Sequence, residues 1–230
     1  MSEHALYRLL SWLSPAYPIG SFTHSSGLEW AINEGLVTSR SELEMWIGEL
    51  LASGSTHNDA ILFVHAFRIS AARDQRSFAE LVELAAALNP SRERWLEATA
   101  QGAAFYRIAS TAAHSDAFEH LTGGAGDSLS YAIAVAALAQ SHEIPLQAAL
   151  TAYVHAVVAN LVSAAQRLIP LGQTDGQIAI AALEPAVHHL VSHAITFSDG
   201  DPFDQLGSAT LLADFSTLAH ETQYTRLFRT

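Results

Sequence analysis

The 230-residue chain is half apolar, carries a net charge of −12 with histidine neutral, and contains neither cysteine nor lysine. The missing cysteine removes disulfides, thiol nucleophiles and thiolate metal sites; the missing lysine removes a Walker-type phosphate lysine, a Schiff base and a lysine general base. An acidic balance whose eleven basic residues are all arginine disfavours nucleic acid and anionic membranes, and favours basic proteins or cations.

The chain begins Met-Ser-Glu-His, with no basic region ahead of an apolar core, so no secretory signal is apparent and a cytoplasmic location is expected. Leu6, Leu9, Leu10 and Leu13 space a helix over residues 3–13 that Pro15 stops. Residues 14–29 read as a stiff connector. Pro15 and Pro18 fix φ, while Gly20 and Gly27 allow backbone shapes or close approaches that a Cβ forbids. Ser26 and Glu29 have the spacing of a capping box for the following helix. Tyr17, Phe22 and His24 are threaded through this loop, either as core aromatics of a connector or as a rigid docking surface.

A short helix ends near Gly35, and Ser39 with Glu42 starts another that Gly54 ends. Helices follow over 57–72 and 77–88, and from a cap at Ser91 to about Ala113. Thr122–Asp127, with Gly123, Gly124 and Gly126, is a flexible loop. Ser128–Gln140 and Pro145–Ile169 are helical, with Pro145 in the first turn. Residues 144–166 lack Asp, Glu and Arg and are long enough to span a bilayer. Gln147, Thr151, His155 and Asn160 interrupt them, however, and Leu146, Leu150, Tyr153, Val157, Leu161, Ala164 and Leu168 share one face. A buried central helix is expected there, and no membrane span. Thr174 or Asp175 caps a helix towards Thr196 that Pro185 is expected to kink or break. Gly200–Gly207 is a polar loop, Ser208–Ala219 a last helix, and 221–230 a flexible tail whose function is required but which adds little to folding. No run of alternating β-branched residues or fixed repeat occurs. The chain reads as one all-α domain over 1–230, about ten helices around a buried central helix.

Candidate chemistry is sparse. Neither Glu-x-x-His nor His-Glu-x-x-His occurs among the twelve histidines, and no Gly-x-Ser-x-Gly elbow is present. His189 and His193, one turn apart with Glu184 and His188 nearby, are weak metal candidates; solvated histidines on an amphipathic helix are the plainer reading. A rival function is a small metal-dependent hydrolase built on His188, His189 and His193; another is a helical adaptor.

Three blocks resemble one family. Residues 14–29 fit S-P-x-[FY]-P-x-G-x-[FY]-x-[HY]-S-x-G-L-E, the N-terminal signature of the urease accessory protein family UreF. The Arg167–Gln177 and His220–Thr230 blocks agree with it in order and approximate spacing. Two departures stand out: Ser130 and Ala136 where many relatives carry His and Gly, and Ile169 in the family's Arg-Leu-Gly-Pro block.

The resemblance implies a non-catalytic, cofactor-free scaffold of nickel urease maturation. It would form a homodimer, bind a UreD-type protein (UreH in some systems), recruit a UreG-type GTPase and engage apo-urease. GTP hydrolysis by the partner would then accompany nickel delivery. The partner-binding residues it implies are Tyr17, Pro18, Gly20, Phe22, His24, Ser25, Gly27 and Glu29 in the first block. Arg167, Gln173, Asp175 and Gln177 come from the second, and His220, Glu221, Tyr224, Arg226, Leu227, Phe228 and Arg229 from the third. Arg167 serves either an internal network or a partner-facing surface.

Overall fold

The computed structural model describes residues 2–125, 128–197 and 200–230. They form eleven α-helices: α1 Glu3–Trp12, α2 Leu28–Asn33, α3 Arg40–Ser53, α4 Ser55–Ala72, α5 Gln75–Ala87, α6 Arg92–Ala112, α7 Asp116–Thr122, α8 Tyr131–Ser141, α9 Leu146–Leu168, α10 Gln173–Phe197 and α11 Leu211–His220. Short 3-10 turns occupy Ser21–Thr23 and Pro202–Gln205, and no strand occurs among the described residues, so the all-α expectation holds. Gly126 and Asp127 of the expected glycine-rich loop lie outside the described residues.

Local chemistry accounts for several starts. Ser2, Ser39, Asp74 and Ser91 each accept a hydrogen bond from the backbone N–H three residues on, satisfying a donor that the first turn leaves free. The box at Ser39 is shifted by one residue: Glu42 Oε2 accepts from Thr38 N at 2.8 Å.

The enclosed helix is α8. Every residue from Tyr131 to Ala139 is buried, and α4 and α6 pack against it. Small residues permit this crowding. A Cβ on Gly102 of α6 would collide with the carbonyl oxygen of Leu129, just ahead of α8. The helix expected at the centre, α9, is instead two-sided. Leu150, Tyr153, Val154, Val158, Leu161 and Val162 are buried while His155 is exposed. Its polar interruptions mark a solvent face, whereas α8 is apolar and alanine-rich all round, as a fully enclosed helix must be. Helices α9 and α10 are long and apolar enough to cross a membrane, yet they pack against each other and against α3 and α4. Of the kink or break expected at Pro185, the break does not occur, since α10 continues through it.

Candidate functional site

The first and third sequence blocks meet, although some 200 residues separate them. Gly20, Ser26 and Gly27 all have positive φ (78°, 54° and 78°). A Cβ on Gly27 would meet Thr217 N at 2.8 Å, so the left-handed turn and the close approach of α2 to α11 both require glycine. This turn changes the role of the expected capping box. Ser26 Oγ points away from α2 and donates to Glu97 Oε1 at 2.8 Å, while Arg94 Nη1 donates to it at 2.9 Å. The side-chain cap comes one residue earlier, where Glu29 N donates to Ser25 Oγ at 3.3 Å.

Glu29 is thereby freed for the C-terminal segment. Leu227 N donates to its Oε1 at 2.6 Å, and Phe228 N to its Oε2 at 2.9 Å. His220, fully buried, sets Nε2 3.0 Å from Glu29 Oε2 and Nδ1 2.6 Å from Glu93 Oε2. Arg226 Nη1 donates to Glu93 Oε1 at 2.7 Å. Glu221 Oε1 accepts from Arg92 N at 2.8 Å and Glu93 N at 3.4 Å, placing a carboxylate on the positive end of α6.

The last residues pair with the loop. Arg229 N donates to Thr23 O at 2.8 Å and Ser25 N to Thr230 O at 2.7 Å. The Thr230 hydroxyl donates to Glu97 Oε2 at 3.1 Å, and His24 Nδ1 lies 2.8 Å from it. The free tail expected from its terminal position is therefore corrected: Phe228 and Thr230 are each 3% exposed, because Glu29 and Glu93 supply the partners that chain ends usually lack.

Arg167 joins the two blocks. Its Nη1 donates to Phe22 O at 2.7 Å, and its guanidinium lies 4.3 Å from the centroid of the Phe228 ring. The rest of its block lies elsewhere: Gln173 and Gln177 are exposed on α10, and Asp175 pairs with Arg40 at 3.2 Å.

Sequence reasoning passed over Glu93, Arg94 and Glu97, each under 9% exposed. Their dense charge reads as a solvated helix face, and nothing local marks it as buried. Burial alone would raise Glu97, but Arg94, His24 and Ser26 outweigh it and hold the carboxyl below its usual range. His24 is lowered chiefly by burial. Beside this network a cleft of about 200 Å³ opens against the loop, with Asp59, Arg94 and Tyr153 in its lining. The Tyr153 hydroxyl donates to Asp59 Oδ2 at 3.2 Å, and burial pushes Asp59 up to about 6 against the pull of Arg94.

Outward-facing residues surround this interior. Pro18, Phe22, Tyr224, Leu227 and Arg229 are exposed, with Phe22 at 65% and Leu227 at 63%. Tyr17 is half-buried against Phe105, ring centroids 5.4 Å apart. The metal candidates His189 and His193 lie on α10, and His188 pairs with Glu184 at 3.5 Å.

Residues 37–184 match the sequence model of the UreF family. A protein named Urease accessory protein UreF from Rhodopseudomonas palustris is 47% identical over 225 residues, spanning 98% of this chain and 93% of that protein. Proteins of the same name from Bradyrhizobium diazoefficiens and a Bradyrhizobium species are 46% and 47% identical, spanning 98% and 100% of this chain and 91% and 93% of their own lengths. The match to the Bradyrhizobium species protein spans the whole chain, loop and C-terminal segment included, and the chain belongs to the UreF family of urease accessory proteins.

Proposed function

We propose that this chain is a non-catalytic scaffold of urease maturation in the cytoplasm. It acts as a homodimer that binds a UreD- or UreH-type protein and recruits a UreG-type GTPase, and the assembly engages apo-urease for GTP-dependent nickel insertion. The observation that carries the reading is the joining of loop 14–29 to residues 220–230 through Glu29. This interior network holds a short, rigid platform on which Phe22, Tyr224 and Leu227 face solvent. Exposed aromatic and aliphatic side chains on a preordered backbone suit docking, because little conformational entropy remains to be lost. The chain's lack of lysine fits a division of labour in which nucleotide chemistry belongs to the partner.

The test is co-purification with the UreD/UreH-type and UreG-type proteins. Phe22→Ala is expected to leave the melting temperature within about 2 °C of wild type, since an exposed truncation changes stability by about 0.5 kcal/mol or less. The same variant is expected to reduce capture of at least one partner by about tenfold. Full capture of both would refute this surface, and absence of both partners from wild-type pull-downs would refute the scaffold reading.

A further inference from the structure

The cleft against loop 14–29 holds a carboxylate that no ion pair among the described residues compensates. Asp59 of α4 receives one hydrogen bond, from the Tyr153 hydroxyl to Oδ2 at 3.2 Å, which leaves Oδ1 unclaimed. The cation beside it is already engaged: Arg94 pairs with Glu97 at 2.8 Å and donates to Ser26. Glu97 in turn accepts from Ser26, Arg94 and the Thr230 hydroxyl. Two carboxylates therefore share one guanidinium, and Asp59 is the one left without a close partner. Burial pushes it up to about 6, as expected of a poorly compensated charge. Ser130 Oγ, in the same lining, is buried and has no hydrogen-bond partner within the protein, so it adds an unclaimed acceptor. Much of the remaining wall is apolar, with Leu13, Ile19, Leu50, Val157 and the Tyr131 ring.

We propose that this cleft receives a lysine side chain of a docking protein, its ammonium on Asp59 and its aliphatic stem along the apolar walls. The size fits. A cavity of about 150 Å³ admits benzene, so the cleft of about 200 Å³ takes a four-carbon stem. Lysine suits it better than arginine, because a single free carboxylate oxygen serves a point charge but leaves a guanidinium fork half-matched. The chain has no lysine of its own to fill the cleft, and its net charge of −12 draws basic partners. Position favours a protein's side chain over a free amine: Ile19 and Phe22 line the cleft, so it shares its loop with the exposed platform. The proposal rests on the docking reading above and names the chemistry of one anchor. The charged and titratable groups around Asp59 are Arg94 and Glu97 from α6, Tyr153 and His155 from α9, and Asp214 from α11.

The test is NMR titration of the full chain with n-butylammonium chloride, which reproduces the lysine stem and charge, against n-butanol as its uncharged match. Butylammonium is expected to bind with Kd of about 1–10 mM at pH 7.5, shifting the amides around Asp59 and Tyr153, and butanol about tenfold more weakly. Affinity is expected to rise about tenfold from pH 5 to pH 7.5 as Asp59 ionises, since the amine stays charged throughout. Asp59→Asn is expected to remove that rise and His155→Gln to keep it. In pull-downs, saturating butylammonium is expected to halve capture of a UreD/UreH- or UreG-type partner relative to equal sodium chloride. Equal binding of butanol, or a flat pH profile, would overturn the proposal, and both readouts need only the wild-type chain. Binding with undiminished capture would also overturn it, leaving a site for free amines. A failed titration beside successful co-purification removes the cleft alone; absence of both partners removes the scaffold reading and the docking lysine with it.

Discussion

Helix α8 and the loop–tail network are both buried, but different forces hold them. Along α8, Tyr131 to Ala139 bring almost no polar side chains, and their stability comes from close packing that α4 and α6 complete. In the network, Glu29, Glu93, Arg94, Glu97 and His220 are equally enclosed, yet each is charged or titratable and is held through partners on distant segments. Packing tolerates neighbours of similar volume, whereas a buried charge tolerates no lost partner. The network is therefore the more fragile region, and it is the one that shapes the exposed platform.

The largest expected effect sharpens that contrast. Deleting residues 221–230 removes the backbone donors to Glu29, the Arg226 partner of Glu93, the Glu221 cap of α6 and the buried Phe228 ring. Stranding buried carboxylates costs about 3–5 kcal/mol, and a buried phenylalanine adds a similar amount. A thermal melt is expected to fall by well over 10 °C. A truncated chain that melts like the full-length protein would mean that α6 and α2 hold their carboxylates without the tail.

Next is a pH effect that separates the two kinds of burial. Asp59 is raised from 3.8 to about 6, chiefly by burial, so the folded state binds its proton more tightly than the unfolded chain. Stability from this group is therefore full below about pH 4 and is lost as pH rises through about 6. The shift corresponds to at most about 3 kcal/mol, trimmed because Asp59 keeps some contact with the cleft. Glu97 is lowered and acts in the opposite sense, its contribution being lost on acidification below the normal carboxylate range. Asp59→Asn is expected to flatten the decline in chemical-denaturation stability between about pH 4 and pH 6. An unchanged slope would show that Asp59 is not the group responsible. The helix α8 core, lacking carboxyl and imidazole groups, has no slope of its own in this range.

On the apolar side, Gly102→Ala tests the closeness of α6 to the start of α8. The new methyl meets backbone, which cannot move aside as a side-chain end can. Overpacking of this kind costs about 1–3 kcal/mol, measurable as a denaturation midpoint lowered at constant m-value. A neutral substitution would mean that the two elements are free to slide apart.

How much was legible in the sequence divides along the same line. Caps at Ser39 and Ser91 and the apolar run of α8 are local signals, and the helices they imply are present. The centre was assigned to α9 on its shared apolar face, but one apolar face does not decide enclosure; an apolar surface on every side does. Ser26 and Glu29 carried the right spacing for a capping box. The left-handed turn at Ser26 and Gly27 redirected both side chains to partners about 70 and 200 residues away. The tail's terminal position reads as a flexible end. In its bent path Leu227 is exposed while Phe228 is buried. Local patterns report what a segment does alone, and the network is made of pairings between segments.

The smallest expected effect concerns Arg167, which touches both blocks. Its fork donates to Phe22 O and to Ser163 O while its flat face covers the Phe228 ring. Lysine keeps the charge but offers neither the planar face nor two fixed donors, so Arg167→Lys is not conservative here. The site is partly open to water, and the loss is expected to be about 1 kcal/mol, a melt lowered by roughly 2–4 °C. The backbone around Phe22 should loosen more than this modest cost implies, because Phe22 O then lacks its strongest donor. Hydrogen exchange at the amides of residues 21–25 is expected to speed up, while exchange in α8 stays at the wild-type rate. Equal acceleration in both regions would show that Arg167 contributes to global stability alone and does not hold the loop to the tail.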